Sequence, residues 1–293
     1  MPIAAKVLAE GIYFGEGPRW RDGRLWFSDF FAHAVKSVSP AGDVRTEFAL
    51  EGDRPSGLGW LPNGDLLVVS MEQRRVLWRG RDGRLALHAD LSAIAAWHCN
   101  DMVVDAQGRA YVGNFGFDLD HELEARGAES VIADHATAKL ALIGPDGAVG
   151  EAAADLHFPN GTVITPDGRT LIVGETLGGC LTAFDIGPKG ALSNRREWAP
   201  LAPRLPDGIC LDAEGAAWIA NPIAPECARV AEGGQVLEVI DTGMPCFACM
   251  LGGESGRTLF MMTAPSSMPS QVGARPIGKI LAAEAPAPHA GLP

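Results

Sequence analysis

The chain has 293 residues, 47% of them apolar and only 20% charged, with a formal net charge of −12. That balance argues against binding the nucleic-acid backbone or an anionic membrane surface. The length is ample for a large core and fits one repeat-built domain as well as two smaller ones.

The N-terminal segment Met1-Pro-Ile-Ala-Ala-Lys-Val-Leu-Ala-Glu10 lacks the apolar core and cleavage pattern of a signal peptide. No apolar run approaches the ~18 residues that would span a bilayer. Six cysteines in a chain this long are no disulfide framework. These features lead us to expect reduced thiols and a cytoplasmic protein.

One pattern then recurs six times: a short strand, a turn centred on X-Gly, and a second apolar strand. In chain order the copies are Glu16-Gly-Pro…Asp22-Gly-Arg-Leu-Trp-Phe, Ser56-Gly-Leu-Gly…Asn63-Gly-Asp-Leu-Leu-Val and Asn100-Asp-Met-Val…Gln107-Gly-Arg-Ala-Tyr-Val. They continue as Asn160-Gly-Thr-Val…Asp167-Gly-Arg-Thr-Leu-Ile, Asp207-Gly-Ile-Cys…Glu214-Gly-Ala-Ala-Trp-Ile and a degenerate Phe247-Ala-Cys-Met…Ser255-Gly-Arg-Thr-Leu-Phe. The turn glycines Gly23, Gly64, Gly108, Gly168, Gly215 and Gly256 set periods of 41, 44, 60, 47 and 41 residues. Second hairpin signals fall between them, at Pro40-Ala-Gly-Asp, Arg81-Asp-Gly-Arg, Pro145-Asp-Gly-Ala, Pro188-Lys-Gly-Ala and Glu232-Gly-Gly-Gln. Two hairpins per period make four strands, and six periods predict an all-β, six-bladed propeller as one domain over 1–293. A pair of β-sandwiches would not require so regular an alternation of turns.

Ring closure is expected from two short apolar strands outside the main hairpins, Ile3–Ala9 and Lys279-Ile-Leu-Ala-Ala, pairing in the last blade and removing exposed edges. The tail 285–293, Ala-Pro-Ala-Pro-His-Ala-Gly-Leu-Pro, is expected to bury little and to be flexible.

Hairpin geometry locates the working face. The start of each first strand and the end of each second strand lie together, opposite the X-Gly turn. The residues Glu16, Asn100, Asn160 and Asp207 therefore share a face with Asp29-Phe30, Ser70-Met71-Glu72, Asn114-Phe115, Glu175-Thr176 and Asn221-Pro222. The extra residues of the long third period, 116–136, follow a second strand and are placed to form a lid or wall over the axis.

A radial repeat brings the four oxygen-bearing side chains around that axis. Two carboxylates and two amides suit Ca²⁺, or less tightly Mg²⁺ or Mn²⁺, and no His-rich or Cys-rich set competes in this slot. Such a cation would either activate a substrate at open coordination positions or merely plug the channel.

The motifs Glu16-Gly-Pro, Asn100-Asp, Phe158-Pro-Asn160-Gly and Pro206-Asp207-Gly, in that order, resemble the regucalcin–gluconolactonase family, which includes senescence marker protein, luciferin-regenerating enzyme and bacterial sugar lactonases. The resemblance extends on to Gly252-Gly…Thr258-Leu-Phe and covers nearly the whole chain. It implies a six-bladed propeller that hydrolyses lactones, with one divalent cation in the axial channel: Ca²⁺ first, with Mn²⁺, Zn²⁺, Mg²⁺ or Fe²⁺ as alternatives. By the family pattern Glu16, Asn160 and Asp207 would hold the cation, Asp207 would also be the candidate base, and Asn100 would bind substrate or reach the metal.

Sugar-lactone members carry Arg two residues before the Asn of Asn-Asp, where this chain has His98. Histidine has fewer donors and a shorter reach than arginine. With Met71, Phe115, Phe117, Cys246 and Phe247 also expected at the rim, the substrate would have fewer hydroxyls than an aldonolactone. The expected substrate-binding set is Asn100, His98, Phe115, Glu175 and Met71.

The pair Cys246-Phe-Ala-Cys249 has redox-motif spacing but falls in a strand, where thioredoxin-like chemistry lacks its helix N-terminus. There is no Gly-x-Ser-x-Gly nucleophile elbow. A metal-dependent lactonase is the leading reading. A related hydrolase or isomerase acting on another electrophile such as a phosphotriester, and a non-catalytic calcium-binding propeller, remain as alternatives. The expected partner is a small-molecule lactone, with no nucleic acid or membrane, and the chain is expected to be a monomer or weak homo-oligomer.

Overall fold

The computed structural model describes residues 3–293. Six four-stranded antiparallel sheets form in chain order and are arranged as the blades of a propeller. The innermost strands are Gly15–Arg21, Pro55–Trp60, Cys99–Val104, Pro159–Ile164, Ile209–Leu211 and Cys246–Gly252, each followed by its X-Gly turn. Every one of them is buried over most or all of its length, including the polar Glu16, Arg19, Asn100, Asp101 and Asn160.

Closure differs from the expectation only in register. The N-terminal strand is Lys6–Ile12, beginning later than Ile3, and pairs with Gly278–Glu284 from Lys6↔Ala282 to Ile12↔Gly278. It forms the outer edge of the sixth blade. Aromatic packing reinforces this joint: Trp20 of blade 1 stacks on Phe260 of blade 6 with ring centroids 5.4 Å apart.

The tail departs from its expected flexibility. Ala285 and Ala287 are buried, and the backbone beyond them bonds to the turn ends of three blades. His289 N–H donates to Gly256 O (2.8 Å), Ala213 N–H to Pro288 O (2.7 Å), Ala290 N–H to Leu211 O (3.1 Å) and Leu292 N–H to Ile164 O (2.9 Å). Composition misleads here because small residues and proline fit a strap held by its main chain, which needs no apolar side chains of its own.

Inner strands crowd the axis, and glycine makes this feasible at the donor motifs. A Cβ on Gly161 would lie 2.5 Å from Ile209 N, and one on Gly208 would lie 2.7 Å from Ala248 Cα. The Gly161 and Gly208 N–H groups donate to Asp207 O (3.1 Å) and Phe247 O (2.8 Å), tying blades 4, 5 and 6 together at the axis. The glycines that follow Asn160 and Asp207 are therefore packing requirements of the crowded axis. Among the described residues, no helix is long and apolar enough to cross a membrane.

Candidate metal centre and active site

Glu16, Asn100, Asn160 and Asp207 meet at the site-facing end of the axis, each 5–7% exposed. All four line one cavity of about 330 Å³. The first strand of blade 1 supplies Glu16, and the inner strands of blades 3 and 4 supply Asn100 and Asn160 as their second residues. Asp207 precedes the short inner strand of blade 5, anchored by its own N–H on Ala220 O at 3.0 Å.

The hydrogen bonds orient these groups without using up their oxygens. Asn160 Nδ2 donates to Thr176 Oγ1 (3.2 Å), and that hydroxyl donates to Pro206 O (2.7 Å). This fixes the amide so that Oδ1 is left over. Asn160 Oδ1 and Asp207 Oδ1 are buried, and neither has a hydrogen-bond partner among the described residues. Glu16 Oε2 accepts the Gly17 N–H at 3.2 Å, and Asn100 Nδ2 donates to Pro159 O at 3.4 Å. Buried oxygens left without donors cost about 1–3 kcal/mol each, so the cluster calls for a ligand that accepts lone pairs.

Electrostatics point the same way. Burial, reinforced by the Asp207 and Asp101 carboxylates, pushes Glu16 well above the usual carboxylate range. Burial and then Asp101 do the same to Asp207. The nearby cation is already engaged: Arg19 binds Asp101 (2.8 Å), Leu58 O (3.0 Å), Pro18 O (2.7 Å) and Met102 O (2.5 Å). Among the described residues, no three His, Cys, Asp or Glu side chains converge as metal ligands. The candidate set is two carboxylates and two amide oxygens, hard donors that fit Ca²⁺, Mg²⁺ or Mn²⁺.

Around this polar floor the walls are apolar. Phe14, Phe30, Met71 and Phe247 form a buried cluster, with Phe115 packed against it. The third-period insertion folds as two short helices, α1 (Leu119–Arg126) and α2 (Ala128–Ala133). Their residues Leu119, Asp120, Leu123, Ala128, Val131 and Ile132 line the cavity.

Met71, Phe115 and Asn100 line this cavity, whereas Glu175 and His98 of the expected set do not. Glu175 faces away into a second cavity of about 560 Å³. Its carboxylate accepts from His157 N (2.7 Å), Thr182 Oγ1 (2.5 Å) and Arg195 Nη2 (3.0 Å). Its neighbour Thr176 lines the central cavity in its place. The strand Thr170–Glu175 pairs regularly and ends at Glu175, so Thr176 lies in the turn beyond it, where strand alternation no longer assigns the inward residue. His98 packs edge-on against Phe115 with centroids 5.9 Å apart and is not among the lining side chains. Burial, and then Arg54, lower its pKa. Phe117 and Cys246 are likewise absent from the lining; Cys246 is fully buried in a core cluster that also holds Cys210, Cys227 and Cys249. Arg54, Asp120 and Thr176 line the cavity without having been singled out. Only for Thr176, named beside Glu175 at the same strand end, was there a usable signal.

Similarity to known proteins agrees with this architecture. Human regucalcin is 31% identical over 237 residues, covering 73% of this chain and 70% of that protein. The pentonolactonase XacC of Haloferax volcanii is 25% identical over 226 residues, covering 74% and 69%. The structure of a calcium-binding protein, regucalcin, from Agrobacterium tumefaciens superposes with a TM-score of 0.76 at 19% identity, covering 99% of this chain and 98% of that one. Residues 14–265 match the family described as SMP-30/Gluconolactonase/LRE-like region, and the chain belongs to that family.

Proposed function

We propose that the chain is a divalent-cation-dependent lactone hydrolase, and that its substrate carries fewer hydroxyls than a sugar lactone. The observation that carries this reading is the convergence of the unpartnered Asn160 and Asp207 oxygens with Glu16 and Asn100 on one cavity floor. Membership in a family that includes gluconolactonases, and similarity to a pentonolactonase, support the reaction class. The Agrobacterium relative, described as calcium-binding, supports the choice of Ca²⁺.

Glu16, Asn160 and Asp207 would hold the cation, which when bound supplies Lewis acidity to the lactone carbonyl oxygen. Asp207, which lines the same cavity, would accept a proton from the water that attacks the carbonyl carbon and return it to the ring oxygen as the acyl C–O bond breaks. Asn100 offers an amide to the ring oxygens. Thr176 holds the Asn160 amide in orientation, and the phenylalanine walls exclude bulk water from the reacting carbonyl. The phenylalanine faces themselves offer no hydrogen-bond partners to ring hydroxyls, which favours a hydroxyl-poor lactone.

Chelator-treated protein should be assayed on sugar, aliphatic and aromatic lactones by pH indicator, with and without added Ca²⁺, Mn²⁺ or Zn²⁺. Cation-restored turnover, fastest on the hydroxyl-poor lactones, is the expected result. Failure on every lactone with every cation would sink the assignment.

A further inference from the structure

We propose that Arg54 is a specificity-determining residue: its guanidinium binds a carboxylate on the substrate, so the preferred lactone carries an acid group in addition to its ring. This rests on the lactonase reading above and narrows it to a class of substrate.

Arg54 is the one cationic side chain lining the central cavity among the described residues. It stands immediately before the inner strand of blade 2 (Pro55–Trp60), at the site-facing end. The side chain is 13% exposed and pairs through Nε with Glu72 Oε1 at 2.6 Å. Its guanidinium carbon lies 5.7 Å from the Phe31 ring centroid. Neither Nη atom has a hydrogen-bond partner among the described residues. The fork is thus held from one side by a carboxylate and steadied by a ring, with its remaining donors unused.

The backbone beneath it is equally constrained. The carboxylate of Asp53, 1% exposed, accepts the Arg54 N–H at 2.7 Å and the Glu72 N–H at 2.9 Å through one oxygen. The other oxygen accepts the Gln73 N–H at 3.2 Å and the Ser70 hydroxyl. Asp53 therefore locks both members of the Arg54–Glu72 pair in place, making it a positioning residue for the fork. A preoriented guanidinium with idle N–H groups in a largely apolar cavity matches a carboxylate in charge and in bidentate geometry.

The lid's Asp120 lines the same cavity. It forms no ion pair with Arg54 among the described residues, and burial raises its pKa against the lowering pull of the Arg54 charge. It is the like charge that a bound carboxylate would meet, and it provides a second handle on the proposal.

The test compares a γ-butyrolactone carrying a propanoate side chain with the primary amide of the same compound, in Ca²⁺ buffer at low salt. Both kcat/KM and calorimetric affinity are measured. The unaltered protein should prefer the acid by about tenfold or more, the range of a charge-assisted hydrogen bond. Arg54→Gln should bring the ratio close to one while keeping a cooperative melt and its Ca²⁺-induced shift. Arg54→Lys should fall between them, keeping the charge but losing the fork. Asp120→Asn should raise the ratio. No acid preference in the unaltered protein, a preference that survives Arg54→Gln, or a fall with Asp120→Asn would each overturn the proposal. The lactonase reading fails separately. Arg54-dependent binding of an acid that is not hydrolysed would keep the anion site and remove the lactonase reading. Hydrolysis of both compounds at equal efficiency would do the reverse.

Discussion

Blades 1, 3, 4 and 5 place Glu16, Asn100, Asn160 and Asp207 at the axis, whereas blades 2 and 6 place Ser56 and Phe247 in the same slot. Ser56 is 1% exposed and accepts the Ser28 hydroxyl at its carbonyl, 2.5 Å away. Phe247 packs against Phe14 with ring centroids 4.7 Å apart. One backbone position, repeated by the fold, is therefore used in two ways. Four copies gather oxygen donors that leave a demand for positive charge, and two copies build structure and an apolar wall. The lesson is that the repeat specifies geometry, while the side chain in each copy decides whether that geometry carries chemistry.

The comparison can be broken most directly at Asp207. Asp207→Asn should lower kcat by roughly 10²–10⁴-fold, the usual cost of losing a general base, and should abolish the Ca²⁺-induced rise in Tm. A variant that kept both properties would show that the oxygen-bearing arc is not the reactive one.

On the apolar arc, Phe247→Ala should cost about 3–5 kcal/mol of stability, measured by urea unfolding, while the Ca²⁺-induced Tm rise persists. Loss of cation binding there would erase the functional distinction between the two arcs.

Thr176→Val sharpens the donor side alone. Removing the hydroxyl frees Asn160 to rotate, and Ca²⁺ affinity measured by calorimetry should weaken about 10–100-fold with little change in urea midpoint.

The smallest effect is in pH. Glu16 and Asp207 both have folded pKa values raised above their ordinary values of 4.5 and 3.8. A raised carboxylate pKa stabilises the fold below the unfolded value, and that stability is lost as pH rises through the folded value. Cation-free protein should therefore melt at progressively lower temperature as pH rises above the ordinary carboxylate range, and the Tm gain from added Ca²⁺ should grow over the same interval. A flat chelated profile would mean that the two carboxylates are compensated in some other way.

The tail and the strand ends show where reading the sequence falls short. The composition of 285–293 contains nothing that marks its backbone as a strap across the turns of blades 4, 5 and 6, because main-chain hydrogen bonds leave no side-chain signature. The choice between Glu175 and Thr176 for the cavity likewise turns on where the strand Thr170–Glu175 ends and the turn begins.

By itself the sequence determined the six-fold repeat, the four-stranded blades, the closing strand pair and which four oxygen-bearing side chains line the axial cavity. All of these follow from periodic turn glycines and apolar strands, whose spacing is a local property of the chain. Only the tertiary structure decided that Asn160 and Asp207 keep unpartnered oxygens, that Arg19 is already engaged with Asp101, and that Arg54 faces the cavity. Those facts depend on which groups from distant blades arrive at the axis together, and no single stretch of chain encodes the company its side chains will keep.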